Sequence, residues 1–253
     1  MGYEETFELN GEQIKTTVIY DPIEIQNHLS SFLRPSINHQ TKLIGFDAEW
    51  FLHTHSKLGR DFLTPKCATI QLCDGHSCLI IQLNRLESLQ NYCWTWKQDV
   101  ARKSLVNFLS LPNITFVGVG IKENLARFEK HYGIGCKNSV ELGPLAATVM
   151  NMPRLSLCGV DELAFVVNGF DLQDHRPVSL SYDYADYSLS KELVKVATVN
   201  VYSYHKIGVK LNQSQPEPAN AATGEENVDR KVMGKTQLSE TKPTKHVKIE
   251  PKN

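Results

Sequence analysis

The chain has 253 residues, a formal charge of −1, 41% hydrophobic residues and six cysteines. That length allows one large domain or two small ones, with ample chain for a core. Near-neutral charge excludes a polybasic coat, and no apolar run approaches the roughly 18 residues of a membrane helix. Met1 to Asn10 is polar and acidic, unlike a secretory signal. The scattered cysteines read as reduced thiols. A nuclear and/or cytoplasmic protein with no membrane role is expected.

In chain order, Phe7–Leu9 and Gln13–Tyr20 are β-prone runs around Asn10-Gly11, a hairpin-turn signal. Asp21-Pro22 supplies a cap oxygen followed by proline at the first helical position. Ile23, Ile25, Leu29, Phe32 and Leu33 then keep helical spacing up to Pro35. Leu43–Trp50 reads as a buried strand and Phe51–Lys66 as a loop. Ala68–Cys73 and Cys78–Leu83 form a second hairpin at Asp74-Gly75. Helices are predicted over 99–109, 121–132, 143–150, 159–168 and 189–211, with strands over 114–119 and 140–142. Hairpins first and helix–strand alternation later imply an α/β fold, a mixed sheet flanked by helices.

Residues 212–253 lack Phe, Trp and Tyr and hold four of the eleven prolines. Such a segment cannot bury enough apolar area to offset its ordering entropy, so a disordered tail is expected. The resulting division is a hairpin and helix over 5–39, a domain over 40–211 and the tail over 212–253. Near the end of the tail, Val247-Lys248-Ile249-Glu250 resembles a SUMO-acceptor pattern centred on Lys248, and the spaced lysines resemble a nuclear-import signal.

The sharpest chemical feature is Phe46-Asp47-Ala48-Glu49-Trp50. Residues two apart on a strand share a face, so Asp47 and Glu49 point the same way. Two carboxylates at a buried strand end repel each other and lose hydration; a hard divalent cation such as Mg²⁺ or Mn²⁺ would offset both penalties. Trp50 is a candidate for stacking on a terminal base. In the loop that follows, Lys57 and Arg60 are candidates for backbone phosphates, beside His53, His55 and Lys66.

Four segments in order, LIGFDAEW, ATIQLCDGHSCLIIQL, FVGVGIKENL and LSKELVKVATVNVY, resemble the DEDDy-type 3′–5′ exonuclease domains, which have an RNase H-like (DnaQ-like) fold and include RNase D and the Werner-syndrome exonuclease domain. Among these the chain is most similar to the plant Werner-like proteins. The resemblance implies four carboxylates and a tyrosine around two Mg²⁺ ions. One ion activates the attacking water and the other stabilises the leaving 3′ oxygen, while the tyrosine orients the water. Asp47 and Glu49 match the first motif. Asn124 falls where the second motif has an aspartate, and Val196 and Asn200 fall where the third has its tyrosine and aspartate.

An amide oxygen can touch a metal but brings no charge, and valine cannot hydrogen-bond a water. Each missing charge-assisted interaction is worth roughly 1.5–3 kcal/mol, so the metal site is expected to be weak or vacant and catalysis impaired. Three functions follow: a pseudoenzyme that still binds nucleic acid or a protein partner, an active metal-dependent 3′–5′ exonuclease on DNA or RNA, or a scaffold without a nucleic-acid role. Some neighbours are candidates to replace the missing groups. Glu123 is turned about 100° from Asn124, Tyr204 lies one turn after Asn200 rather than before it, and Asp183 and Asp186 precede the last helix.

Overall fold

The computed structural model describes residues 2–32, 42–57, 60–88, 95–177 and 183–214. Of the expected tail over 212–253, residues 212–214 close the last helix, while 215–253, including Lys248, lie outside the described residues, as do the side chains of Lys57 and Arg60. Residues 1–216 form one compact unit.

A seven-stranded sheet runs through this unit in the order β1-β2-β5-β4-β3-β6-β7. The strands are β1 (Tyr3–Leu9), β2 (Glu12–Ile19), β3 (Lys42–Lys57), β4 (Arg60–Cys73), β5 (Ser77–Gln82), β6 (Ile114–Gly118) and β7 (Ser139–Glu141). β1–β2, β3–β4 and β4–β5 pair antiparallel, while β2–β5, β3–β6 and β6–β7 pair parallel. The N-terminal hairpin therefore extends the same sheet through β2 and β5. The mixed sheet is flanked by helices, as the segment pattern implied, and has the RNase H-like arrangement.

One face carries α1 (Pro22–Phe32), α3 (Thr95–Leu109) and α4 (Ile121–Tyr132). Ile25, Leu29, Leu105, Phe108 and Phe128 pack there against Ile44, Phe46 and Ile70. The other face carries α5 (Leu142–Val149), α6 (Val160–Asn168) and α7 (Lys191–Gln213), where Leu142, Leu163, Val194 and Ile207 join Val18, Ile80 and Val117. A short helix not expected from the sequence, α2 (Leu83–Ser88), follows β5.

The element ends follow local chemistry. Asp21 Oδ1 accepts the backbone N–H groups of Ile23 (2.9 Å) and Glu24 (3.2 Å), capping α1. Ser190 Oγ accepts that of Leu193 (3.2 Å) and caps α7, which starts two residues after the expected Leu189. Asn10 and Gly11 both take positive φ (52° and 80°), as a tight hairpin turn requires.

The expected loop over 51–66 is instead strand at 51–57 and 60–66: His53↔Thr64 and Thr54↔Leu63 pair in the outer part of a long β3–β4 ladder. Its Phe, Leu and Thr side chains suit a pleated ribbon, and a register shift between Glu49 and Trp50 separates the arm from the strand carrying the acids.

The tightest helix–sheet contact is between α7 and β3. A Cβ on Gly45 would lie 2.0 Å from the Val201 carbonyl oxygen. Only glycine lets the helix backbone come this close. Gly45→Ala is expected to cost about 3 kcal/mol, since backbone rather than a flexible side chain must give way; urea unfolding followed by circular dichroism measures it.

Candidate functional site

Alternation along β3 sends Ile44, Phe46 and Ala48 into the core beneath α3 and α4. Asp47 and Glu49 therefore face the opposite way, toward α7. Asp47 is buried (9% exposed) and heavily hydrogen-bonded. Its Oδ1 accepts the Ala48 N–H (2.8 Å) and the Asn124 Nδ2 (3.3 Å), and its Oδ2 accepts the Tyr204 hydroxyl (3.3 Å). Burial outweighs these donors and pushes the Asp47 carboxyl up to about 6. Burial, followed by repulsion from Asp47, pushes Glu49 up to about 7.

Asn124 comes from the first turns of α4. Its Oδ1 accepts the Trp50 Nε1–H (3.1 Å) while its amide nitrogen points at Asp47. Glu141 holds the start of that helix, its carboxylate accepting the Gly120 (2.6 Å) and Lys122 (3.4 Å) N–H groups. Val196 is buried on α7, and Asn200 lies one turn further on. The Asn200 Oδ1 accepts Arg176 Nη1 (2.8 Å), and Arg176 is tied to Asp161 through Nε (3.1 Å) and Nη2.

The structure thus joins Asn124 to Asp47 beside Glu49, while Asn200 faces Arg176 instead. Glu123 turns to solvent and pairs with Arg127 (2.5 Å). Asp183 caps its own turn through the Ala185 N–H (2.9 Å). Tyr204 behaves differently from what its position in the motif suggested: its hydroxyl reaches Asp47. The signal was present, because residues 196, 200 and 204 fall four apart on one helix face. Arg176 and Asp161 meet Asn200 through tertiary packing and carry no local sequence signal.

Trp50 packs on Phe128 (ring centroids 5.1 Å apart) and Tyr132 (6.1 Å). It also lines a groove of about 500 Å³ between the β3–β4 arm and α4, with Phe51 and Leu52 on one wall and Arg127, Lys130 and His131 on the other.

These features bear on the divalent ions that the resemblance implies. Hard cations need oxygens with free lone pairs and, for two ions, more than the two negative charges of Asp47 and Glu49. Here the Asn124 oxygen faces an indole N–H, the Asn200 oxygen faces a guanidinium, and Asp47 is engaged on both oxygens. Among the described residues, no three His, Cys, Asp or Glu side chains converge on a metal position. As arranged, the residues do not fit a pair of divalent ions.

No family profile matches the chain. In sequence it is 24% identical over 201 residues to RISC-interacting clearing 3′–5′ exoribonuclease 1 of Arabidopsis thaliana, covering 79% of this chain and 92% of that protein. The chain is thus similar in sequence to a 3′–5′ exoribonuclease, and it shares the fold of DEDD-type exonuclease domains. The Aedes aegypti Nibbler EXO domain superposes with a TM-score of 0.57 at 14% identity, over 83% of this chain and 92% of that one. Trypanosoma brucei RNase D gives 0.56 at 13% identity, over 78% and 64%. Escherichia coli RNase D gives 0.54 at 18% identity over 78% of this chain; the chain spans 44% of that longer enzyme.

The two raised carboxyls give a pH signature in EDTA. An acid whose folded pKa exceeds its unfolded one contributes stability that is present below the unfolded value and lost as pH rises through the folded one. The window for Glu49 therefore runs from about pH 4.5 to about 7. Glu49→Gln is expected to gain about 2 kcal/mol on wild type between pH 5 and 8, after discounting for partial exposure. Urea unfolding of both proteins at both pH values measures it. His205, pushed down to about 4 by burial, changes stability in the opposite sense, and taking the difference between the two proteins cancels it.

Proposed function

We propose that this domain binds a nucleic-acid 3′ end, with single-stranded RNA as the first candidate, and that its hydrolytic step is absent or greatly reduced. The observation that carries this reading is the Asn124 amide seated on Asp47 where the family has an aspartate. An amide there removes a charge that an ion requires and donates a hydrogen bond to the carboxylate that would otherwise bind the ion. Val196 in place of the tyrosine removes the group that orients the water. RNA is favoured by the Arabidopsis relative, named an exoribonuclease. It also accords with the Trypanosoma brucei RNase D structure, a complex with RNA U12 that superposes with a TM-score of 0.55.

Binding can outlast chemistry because the two use different groups. The groove beside Trp50 offers aromatic and aliphatic surface for bases, with Arg127, Lys130 and His131 for phosphates. Those interactions do not need Mg²⁺.

The purified protein is expected to show no Mg²⁺- or Mn²⁺-dependent 3′–5′ degradation of labelled RNA or DNA, and to retain single-strand binding by fluorescence anisotropy. Robust degradation that disappears in Asp47→Ala would overturn the loss of catalysis. Absence of any strand binding would instead favour a scaffold.

The groove gives a separate outcome. Replacing Arg127 and Lys130 together by alanine is expected to weaken binding across sequences. It should also flatten the dependence of log K on log salt by about 0.7 for each phosphate that is no longer neutralised. Anisotropy titrations over a range of salt concentrations read both effects.

A further inference from the structure

We infer that Tyr204 and Arg176, two side chains outside the five family positions, hold the cleft closed to divalent ions, so that restoring the missing carboxylates alone would not rebuild a metal site. This deepens the reading of the domain as catalytically silent and rests on it.

The argument begins with lone pairs. A carboxylate offers about four acceptor sites, and three of those on Asp47 are taken, by the Ala48 N–H, the Asn124 amide and the Tyr204 hydroxyl. The Ala48 hydrogen bond is local to the strand and compatible with a bound ion. The Asn124 hydrogen bond would vanish on Asn124→Asp. The Tyr204 hydrogen bond would not. It comes from a buried side chain fixed on α7 by the close packing at Gly45, and it occupies the Asp47 oxygen that the other two donors leave free.

Arg176 acts at the other end of the site. It approaches Asn200 through Nη1 at 2.8 Å and is anchored from behind by Asp161. A guanidinium has no acceptor and keeps its charge at any working pH. Asn200→Asp would therefore create a carboxylate already within hydrogen-bond distance of a guanidinium nitrogen, a charge-assisted pair. An ion would have to displace that arginine and approach its positive charge.

The test compares Mn²⁺ binding by four proteins in titration calorimetry, with thermal melting as a second readout. These are wild type, Asn124→Asp with Asn200→Asp, that pair with Tyr204→Phe, and that triple with Arg176→Gln. The double variant is expected to bind Mn²⁺ little better than wild type. Tyr204→Phe should raise the affinity, and the quadruple variant should bind at least about tenfold more tightly than the double. A double variant that already binds as tightly as the quadruple would overturn the inference. So would a quadruple variant that keeps its circular dichroism spectrum yet binds no better than the double. Should the quadruple variant not fold, the triple decides the matter in the same way, since the Tyr204 effect alone must be visible. Failure of the silent-domain reading would show separately, as metal-dependent strand degradation by the unmodified protein.

Discussion

The site depends on the contact of α7 with β3 at Gly45. A helix normally stands off a sheet by the length of its side chains, but here the Val201 carbonyl lies where a Cβ of residue 45 would have to be. That approach puts residues 196, 200 and 204, one face of α7, over the strand that carries Asp47 and Glu49. It also fixes which chemistry is available. At this range a side chain on α7 touches the strand acids directly, as the Tyr204 hydroxyl does at 3.3 Å. The helix is held along its length, by the Thr16–Thr198 hydroxyl pair (2.8 Å) toward β2 and by Gly208 against Val117 toward β6.

Within that geometry the two carboxylates set the electrostatic problem. They are two residues apart on a strand; burial makes both harder to ionise, and repulsion from Asp47 adds to this at Glu49. Divalent ions are one solution. Hydrogen bonds from neutral donors are another, and this chain supplies them from a backbone amide, an asparagine and a tyrosine. Replacing aspartate by asparagine at position 124 changes a third repelling charge into a donor. Each such exchange makes the ion-free site less costly to fold. The cluster is therefore internally consistent: the substitutions at 124 and 200 do not leave holes, because Trp50 and Arg176 occupy the oxygens that an ion would have used.

How much of this is legible in the sequence depends on range. The hairpins, the capped start of α1 and the acid pair on β3 are readable, because each rests on turn chemistry, caps or side-chain alternation within a few residues. The family positions follow from ordered segments, and Asn124 is indeed found on Asp47. The strand ends after Phe51 and before Lys66 read as a loop because their apolar side chains stay outside the core: Leu52 and Leu63 remain more than 60% exposed even as strand. Arg176 is invisible because it reaches Asn200 from 24 residues away across a turn. Tyr204 has the right spacing, but its meaning requires knowing how closely α7 approaches the strand.

The groove beside Trp50 and the carboxylate cluster present different groups. Trp50 is a shared wall: its indole N–H fixes Asn124 in the carboxylate cluster, while its ring borders the groove lined by Phe51, Leu52 and the cations of α4. Packing on Phe128 and Tyr132 keeps that wall rigid whatever happens at Asp47. Strand binding draws on dispersed phosphate interactions and stacking, each modest and none dependent on a metal. Hydrolysis concentrates its requirement in one place, where charge develops on two oxygens at once. Substitutions at 124, 196 and 200 fall in that one place, and among the described residues the groove retains its aromatic and cationic lining. The two sets of groups are therefore separable: a change among the carboxylates leaves the groove lining as it is.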